Sequence, residues 1–382
     1  MVEKIQVLKP LYRTDEVLEE IRACLEIGWT GAGFKTDEIE EKWRDYTGLP
    51  YSHFLNSATA GLHLALAIYK MVGQWEDGDE VITNAVTFVS TNHAIKYERL
   101  TPVFADIDDY GCLDPASVES RITDRTRAVI FVGLGGSTGQ LAEVAEICAR
   151  RGLKLILDAA HMAGAQLNDK SPGLLADCTV FSFQAVKNMP TADSGMICFS
   201  APAHDQLARQ MSWLGIDKST FDRFKGGVYR WRYDVPNVGF KYHGNSIMAA
   251  VALISLKYLD EDNARRREIS ARYQELLAGT PNLAFIPVPD GLLHSRHLFQ
   301  VRVKDRTAVI AALQDEEIYP GVHYAINSEY RPYRDQPHDL AKSEAFCAET
   351  ISLPLHLHLT EADIEKVAAV VRKTCAAMKD DD

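Results

Sequence analysis

An acid and an amine stand at the ends of two short apolar runs. Leu155, Ile156 and Leu157 lead into Asp158, and Thr179, Val180 and Phe181 lead through Ser182 and Phe183 to Lys187. An apolar run closed by turn-forming residues predicts a buried strand. In open α/β sheets ligands gather beyond the carboxyl ends of the strands, so both side chains are expected at one crevice. One residue is an amine that can condense with an aldehyde. The other is an acid that can keep a pyridine nitrogen protonated. Pyridoxal phosphate (PLP) requires that pair. Each residue also has a plainer reading, Asp158 as a helix cap or turn former and Lys187 as a solvated side chain.

Bulk properties narrow the field. A chain of 382 residues exceeds one small core and predicts two domains. Its hydrophobic and charged fractions are those of a soluble globular protein. A net charge of −12 argues against nucleic acid as a partner, because phosphate backbones demand a basic face. The seven cysteines are scattered, odd in number and without a CxxC pair, which suits reduced thiols better than disulfides or zinc. No signal peptide opens the chain and no apolar run spans a bilayer. A cytoplasmic location without membrane attachment is therefore expected.

Strands are predicted at Phe54–Leu55, Glu80–Thr83, Pro102–Ala105, Ala128–Val132, Leu155–Leu157 and Thr179–Phe181, with helices between several of them. Alternation of this kind indicates an α/β fold with a mostly parallel sheet covered by helices. The helix through Leu62, Leu64, Leu66 and Ile68 is apolar nearly all round and should be buried. Its first turn, beside Ser57 and Thr59, offers free N–H groups and a positive dipole end to a phosphate; a simple N-cap is the competing reading. Phe88 follows a strand end, where its ring can stack on a pyridine or simply fill the core. Trp29, within Gly28–Gly33, can pack on a flat ligand or on the interior. Gly133–Gly139 lacks the GxGxxG spacing of dinucleotide sites. The aromatic and basic stretch 211–232, which includes Tyr229, can clamp a base and a diphosphate or form a solvated loop. A long helix is predicted over Ile247–Tyr273. It divides a large α/β domain (1–246) from a smaller α+β domain (247–382).

Eight segments, in this order, resemble one family: GWTGAGF, FLNSATAGLHLAL, GDEVITNAVTFVSTNHAI, TPVFADID, DAAHMAGA, FSFQAVKNMPTADSGMI, PGVHY and ISLPLHLHLT. They are similar to the motifs of PLP-dependent sugar aminotransferases of nucleotide-sugar biosynthesis, the DegT/StrS group, nearly end to end. The resemblance implies the fold type I of aspartate aminotransferase. It also implies a cycle through pyridoxamine phosphate, with glutamate as amino donor and a nucleotide-linked deoxy-keto-sugar as acceptor.

Residue by residue, the resemblance makes Lys187 the Schiff-base amine and proton carrier. It makes Asp158 the partner of the pyridinium nitrogen and His161 that of the phenolic oxygen. Phe88 covers the ring, and Ser57, Ala58, Thr59 and Ser182 hold the phosphate. Trp29, Thr30, Tyr229, His323 and Tyr324 are expected at the sugar. Either His243 or Asn245 is expected to reach the neighbouring subunit's phosphate, which implies a homodimer with shared active sites. Three departures stand out: Ala58 for a glycine, Thr191–Gly195 for TGEGG, and Leu134–Ser137 for HLYG. They predict a reshaped loop beside the lysine and an unusual acceptor. Rival readings are a dehydratase of the same group, in which histidine replaces the lysine, and a non-catalytic PLP- or sugar-binding descendant.

Overall fold

The computed structural model describes residues 4–217, 232–336 and 338–378. Its centre is a seven-stranded sheet formed by β1 (Tyr51–Leu55), β2 (Glu80–Asn84), β3 (Thr101–Ala105), β4 (Thr126–Val132), β5 (Lys154–Asp158), β6 (Cys178–Ser182) and β7 (Gly195–Phe199). The spatial order is β1-β7-β6-β5-β4-β2-β3, and β7 alone runs antiparallel to its neighbours.

Both faces of the sheet are covered, which is why its strands read as unbroken apolar runs. Leu155 and Leu157 face a core shared with Trp43, Val144 and Leu253. Ile156, between them, faces the opposite core with Leu62, Ile95 and Ala208. The helix Ala58–Gly73 lies directly on the second face, with every residue from Ala60 to Tyr69 buried. A Cβ on Gly61 would come within 2.7 Å of Val180, so glycine permits this approach.

The C-terminal part builds its own core around Tyr273, Phe299, Val301, Val367 and Val371, and Ile5 from the N-terminal segment joins it. Its antiparallel sheet runs Leu283–Phe285, Phe299–Val303, Thr350–Leu353. The single helix expected over Ile247–Tyr273 is in fact two, Ser246–Lys257 and Leu259–Leu277. They meet at Tyr258, whose ψ of 2° leaves the helical path. Arg13 sits 4.3 Å over the Tyr258 ring, and the Tyr258 hydroxyl donates to Glu16. The first of the two helices is apolar and packs into the large core through Ala249, Ala252 and Leu253. No helix among the described residues is long and apolar enough to cross a membrane.

One buried charge fixes the N-terminal helix Phe34–Thr47 against the sheet. Glu40 contacts Arg209 (2.7 Å), the His53 ring (2.9 Å) and the Phe54 N–H (2.8 Å). Burial alone would raise its pKa, but the His53 hydrogen bond and Arg209 outweigh it and hold the carboxyl at about 2. Removing one partner strands the other charge. Arg209→Met is expected to lower the unfolding free energy in urea by about 1–3 kcal/mol, less than for a fully buried pair because Arg209 is partly exposed. Glu40's contribution is complete above its unperturbed 4.5 and disappears as pH falls toward about 2. The variant should therefore lose less stability than wild type across that acid range.

Candidate active site

A cavity of about 490 Å³ opens beyond the carboxyl ends of the parallel strands. Thr59 follows β1, Phe88 follows β2, Asp158 ends β5, and Ser182 and Lys187 end and follow β6; all line it. His161, Ser57, Ala58, His323 and Tyr324 line it too. Phe88 remains exposed at 57 %, with its ring centroid 5.9 Å from that of Tyr324, so it walls the opening and is no core residue.

Lys187 and Asp158 share this cavity without forming an ion pair. Burial lowers the Lys187 amine to about 8, and the Asp158 charge only partly resists. No cation is needed to make this amine nucleophilic. Burial likewise raises Asp158, opposed by the Thr91 hydrogen bond, the Ala160 N–H and Lys187. Thr91 donates to Asp158 Oδ2 (2.8 Å), so its single proton is spent; the Thr87 hydroxyl (2.9 Å) must donate to Thr91. The chain Thr87–Thr91–Asp158 thus favours the ionised carboxylate. Thr91→Val removes a hydrogen bond to a charged group, typically about 1.5–3 kcal/mol. Turnover should fall roughly 10–100-fold, with Thr91→Ser restoring most of it.

The histidine tautomers follow from their neighbours. The Gly135 N–H donates to His161 Nδ1 (3.1 Å), so the proton sits on Nε2, which faces the Tyr324 hydroxyl at 3.2 Å. Tyr324 accepts that proton and keeps its own for the cavity. The Asn188 amide donates to Asn263 Oδ1 and to Ser295 O, both at 2.7 Å, which turns its oxygen toward His297 Nδ1 (2.9 Å). His297 therefore carries its proton on Nδ1 and keeps an Nε2 lone pair. Burial holds both rings neutral, well below the usual histidine range, and His323 at about 4.

The donor set fits a phosphorylated pyridoxal. Ser57 caps the helix Ala58–Gly73 by accepting from Ala60 N (3.1 Å), the plainer of the two readings of this turn, and it lines the cavity together with Ala58 and Thr59. The Ala58 and Thr59 N–H groups remain beyond reach of any helical carbonyl. Beside them, a Cβ on Gly195 would lie 2.7 Å from Ala58 N. The loop that departs from TGEGG keeps the one glycine this cradle needs. Ser194, in place of the other, forms a buried hydroxyl pair with Thr191 (2.8 Å).

Several expected residues lie elsewhere. Trp29 donates to Ala32 O, and Thr30 O accepts from Ser246 N; neither lines the cavity. Asn245 caps the helix Ser246–Lys257 by accepting from Met248 N (2.9 Å). His243 packs edge-on against Trp213, with Nε2 buried and unpaired among the described residues. Tyr229 falls outside the described residues. Conversely, Thr91, Asn188 and His297 were not anticipated. Asn188 adjoins the lysine, but nothing in the spacing of His297 or Asn263 ties them to it.

Residues 12–372 match the model of the DegT/DnrJ/EryC1/StrS aminotransferase family. The spore coat polysaccharide biosynthesis protein SpsC of Bacillus subtilis is 33 % identical over 376 residues, 95 % of each chain. Among solved structures, DesI, crystallised in the presence of its TDP-sugar product, superposes with a TM-score of 0.88 at 29 % identity, covering 99 % of this chain and 94 % of its own. Spr1654 of Streptococcus pneumoniae in its PMP form gives 0.88 at 28 % identity, covering 96 % and 98 %, and is also known in a PLP form.

Proposed function

This chain belongs to the DegT/DnrJ/EryC1/StrS aminotransferase family, and from that membership we propose that it moves an amino group from L-glutamate to a nucleotide-activated deoxy-keto-sugar. It is a PLP-dependent sugar aminotransferase. The observation that carries the proposal is the half-buried Lys187 amine, unpaired among the described residues, in one cavity with Asp158. DesI supports the nucleotide, since that protein was crystallised in the presence of its TDP-sugar product.

When bound, PLP supplies an aldehyde for an amine and a ring that takes up the electron pair left on a substrate carbon. The residues do the rest. Asp158, ionised through the Thr87–Thr91 chain, holds a proton at the ring nitrogen. The neutral Lys187 Nζ takes the proton from the substrate carbon and returns it. The Tyr324 hydroxyl, oriented by accepting the His161 Nε2–H, presents its own proton to an oxygen atom in the cavity, and the His297 Nε2 lone pair accepts a hydrogen bond from a sugar hydroxyl. Ala58, Thr59 and Ser182 hold the phosphate, and Phe88 shields the cavity from water.

A homodimer with shared sites is part of the same proposal. Asn245 suits the crossing contact better than His243, because its cap uses only the side-chain oxygen and leaves the amide donor, whereas His243 Nε2 is buried. The test is a half-reaction. The pyridoxamine phosphate-loaded protein is mixed with nucleotide keto-sugars and followed in the visible. Appearance of the PLP spectrum with one of them is expected. Indifference to all, alongside reaction with free keto-sugars, would remove the nucleotide from the proposal.

A further inference from the structure

A second pocket lies between the Gly133–Ser137 turn and the small domain, and shares no lining residue with the Lys187 cavity. Tyr110, Ser137, Gln274, His294, Arg296 and Gln300 line it, and no carboxylate does. Its volume of about 30 Å³ takes one or two waters, or a single small ion, and no organic ligand.

Two of these groups are donors without acceptors. The guanidinium of the partly buried Arg296 makes no hydrogen bond, ion pair or ring contact among the described residues. An unpaired cation in such a place costs free energy that an anion recovers. The Arg296 backbone is also held at φ +50°, in the left-handed region a side chain seldom adopts. His294 supplies the second donor. Its Nδ1 accepts the Arg296 N–H (2.9 Å), so its proton must sit on Nε2, which has no partner among the described residues. Burial, then Arg296 and Arg267, keep that ring neutral. The ring is also pinned: a Cβ on Gly136 would lie 3.0 Å from His294 Cε1.

We propose that this pocket binds a compact tetrahedral oxyanion, held by the Arg296 guanidinium and the His294 Nε2–H. A planar fork and a fixed N–H suit such an ion, whereas a cation would meet the Arg296 charge with no carboxylate to offset it. Alternation along His294–His297 turns His297 into the Lys187 cavity while His294 and Arg296 line the second pocket. The bound ion therefore bridges the small domain and the turn whose Gly135 N–H orients His161.

The test uses PLP-loaded protein, so that the phosphate cradle of the main cavity is filled. Thermal unfolding is followed in potassium sulfate against potassium chloride at equal ionic strength. Wild type should show a saturable, sulfate-specific rise in midpoint, and Arg296→Gln should weaken the apparent Kd about tenfold or more. Sulfate acting no better than chloride, or a variant responding like wild type, overturns the proposal. Should the variant fail to fold, selenate-soaked wild-type crystals decide. An anomalous peak within hydrogen-bond reach of Arg296 and His294 is expected, and a pocket holding only water overturns the assignment.

Discussion

Lys187→Ala is expected to lose amino transfer by about 10⁴-fold or more, since one residue provides both the covalent anchor and the carbon-to-carbon proton carrier. The Ala58–Thr59 turn, Asp158 and the His161 pair are untouched, so the variant should still take up PLP, now dialysable and without the wild-type visible band. Wild-type protein stripped of PLP adds a second readout. Burial holds the amine at about 8 against an ordinary 10.5, so covalent uptake should climb with pH and reach half its plateau near pH 8. A half-point close to the ordinary lysine value would mean that the reacting amine is solvated.

Asp158→Asn should come next in size, with turnover down about 10²–10³-fold and the covalent attachment kept. An amide cannot hold a proton on the ring nitrogen by charge, so electron withdrawal from the substrate carbon weakens. The same change has an electrostatic signature at Lys187. Asp158 is the charge that resists the lowering of the lysine pKa by burial. Removing it should shift the half-point of PLP uptake below the wild-type value. Rapid-scan spectroscopy with glutamate measures the first effect and a pH series the second; a normal rate of reaction with glutamate would take Asp158 out of the mechanism.

The fold and the meeting of Asp158 and Lys187 in one cavity were legible because their signals are local. Burial on both faces turned β4, β5 and β6 into continuous apolar runs, and Asp158 and Ser182, which end the last two, mark the cavity rim. The division of Ser246–Leu277 was not legible, because apolar and charged helical patterns run through Tyr258 without a glycine or proline. Nor were the residues that orient the site. Asn188 matters through Asn263, Ser295 and His297, which lie 75 to 109 positions away in sequence and meet it only in the folded chain. Thr91 reads as an ordinary helix residue until its hydroxyl is seen on Asp158. The choice between His243 and Asn245 likewise required knowing which side-chain atoms the fold already uses.

The central claim is that a single half-buried amine, Lys187, captures the cofactor. Borohydride reduction of PLP-loaded protein, followed by peptide mapping, tests it directly. The phosphopyridoxyl label is predicted on the peptide carrying Lys187 and absent from the Lys187→Ala variant. Label concentrated on another lysine, such as Lys241 over the Trp213 ring, would contradict it.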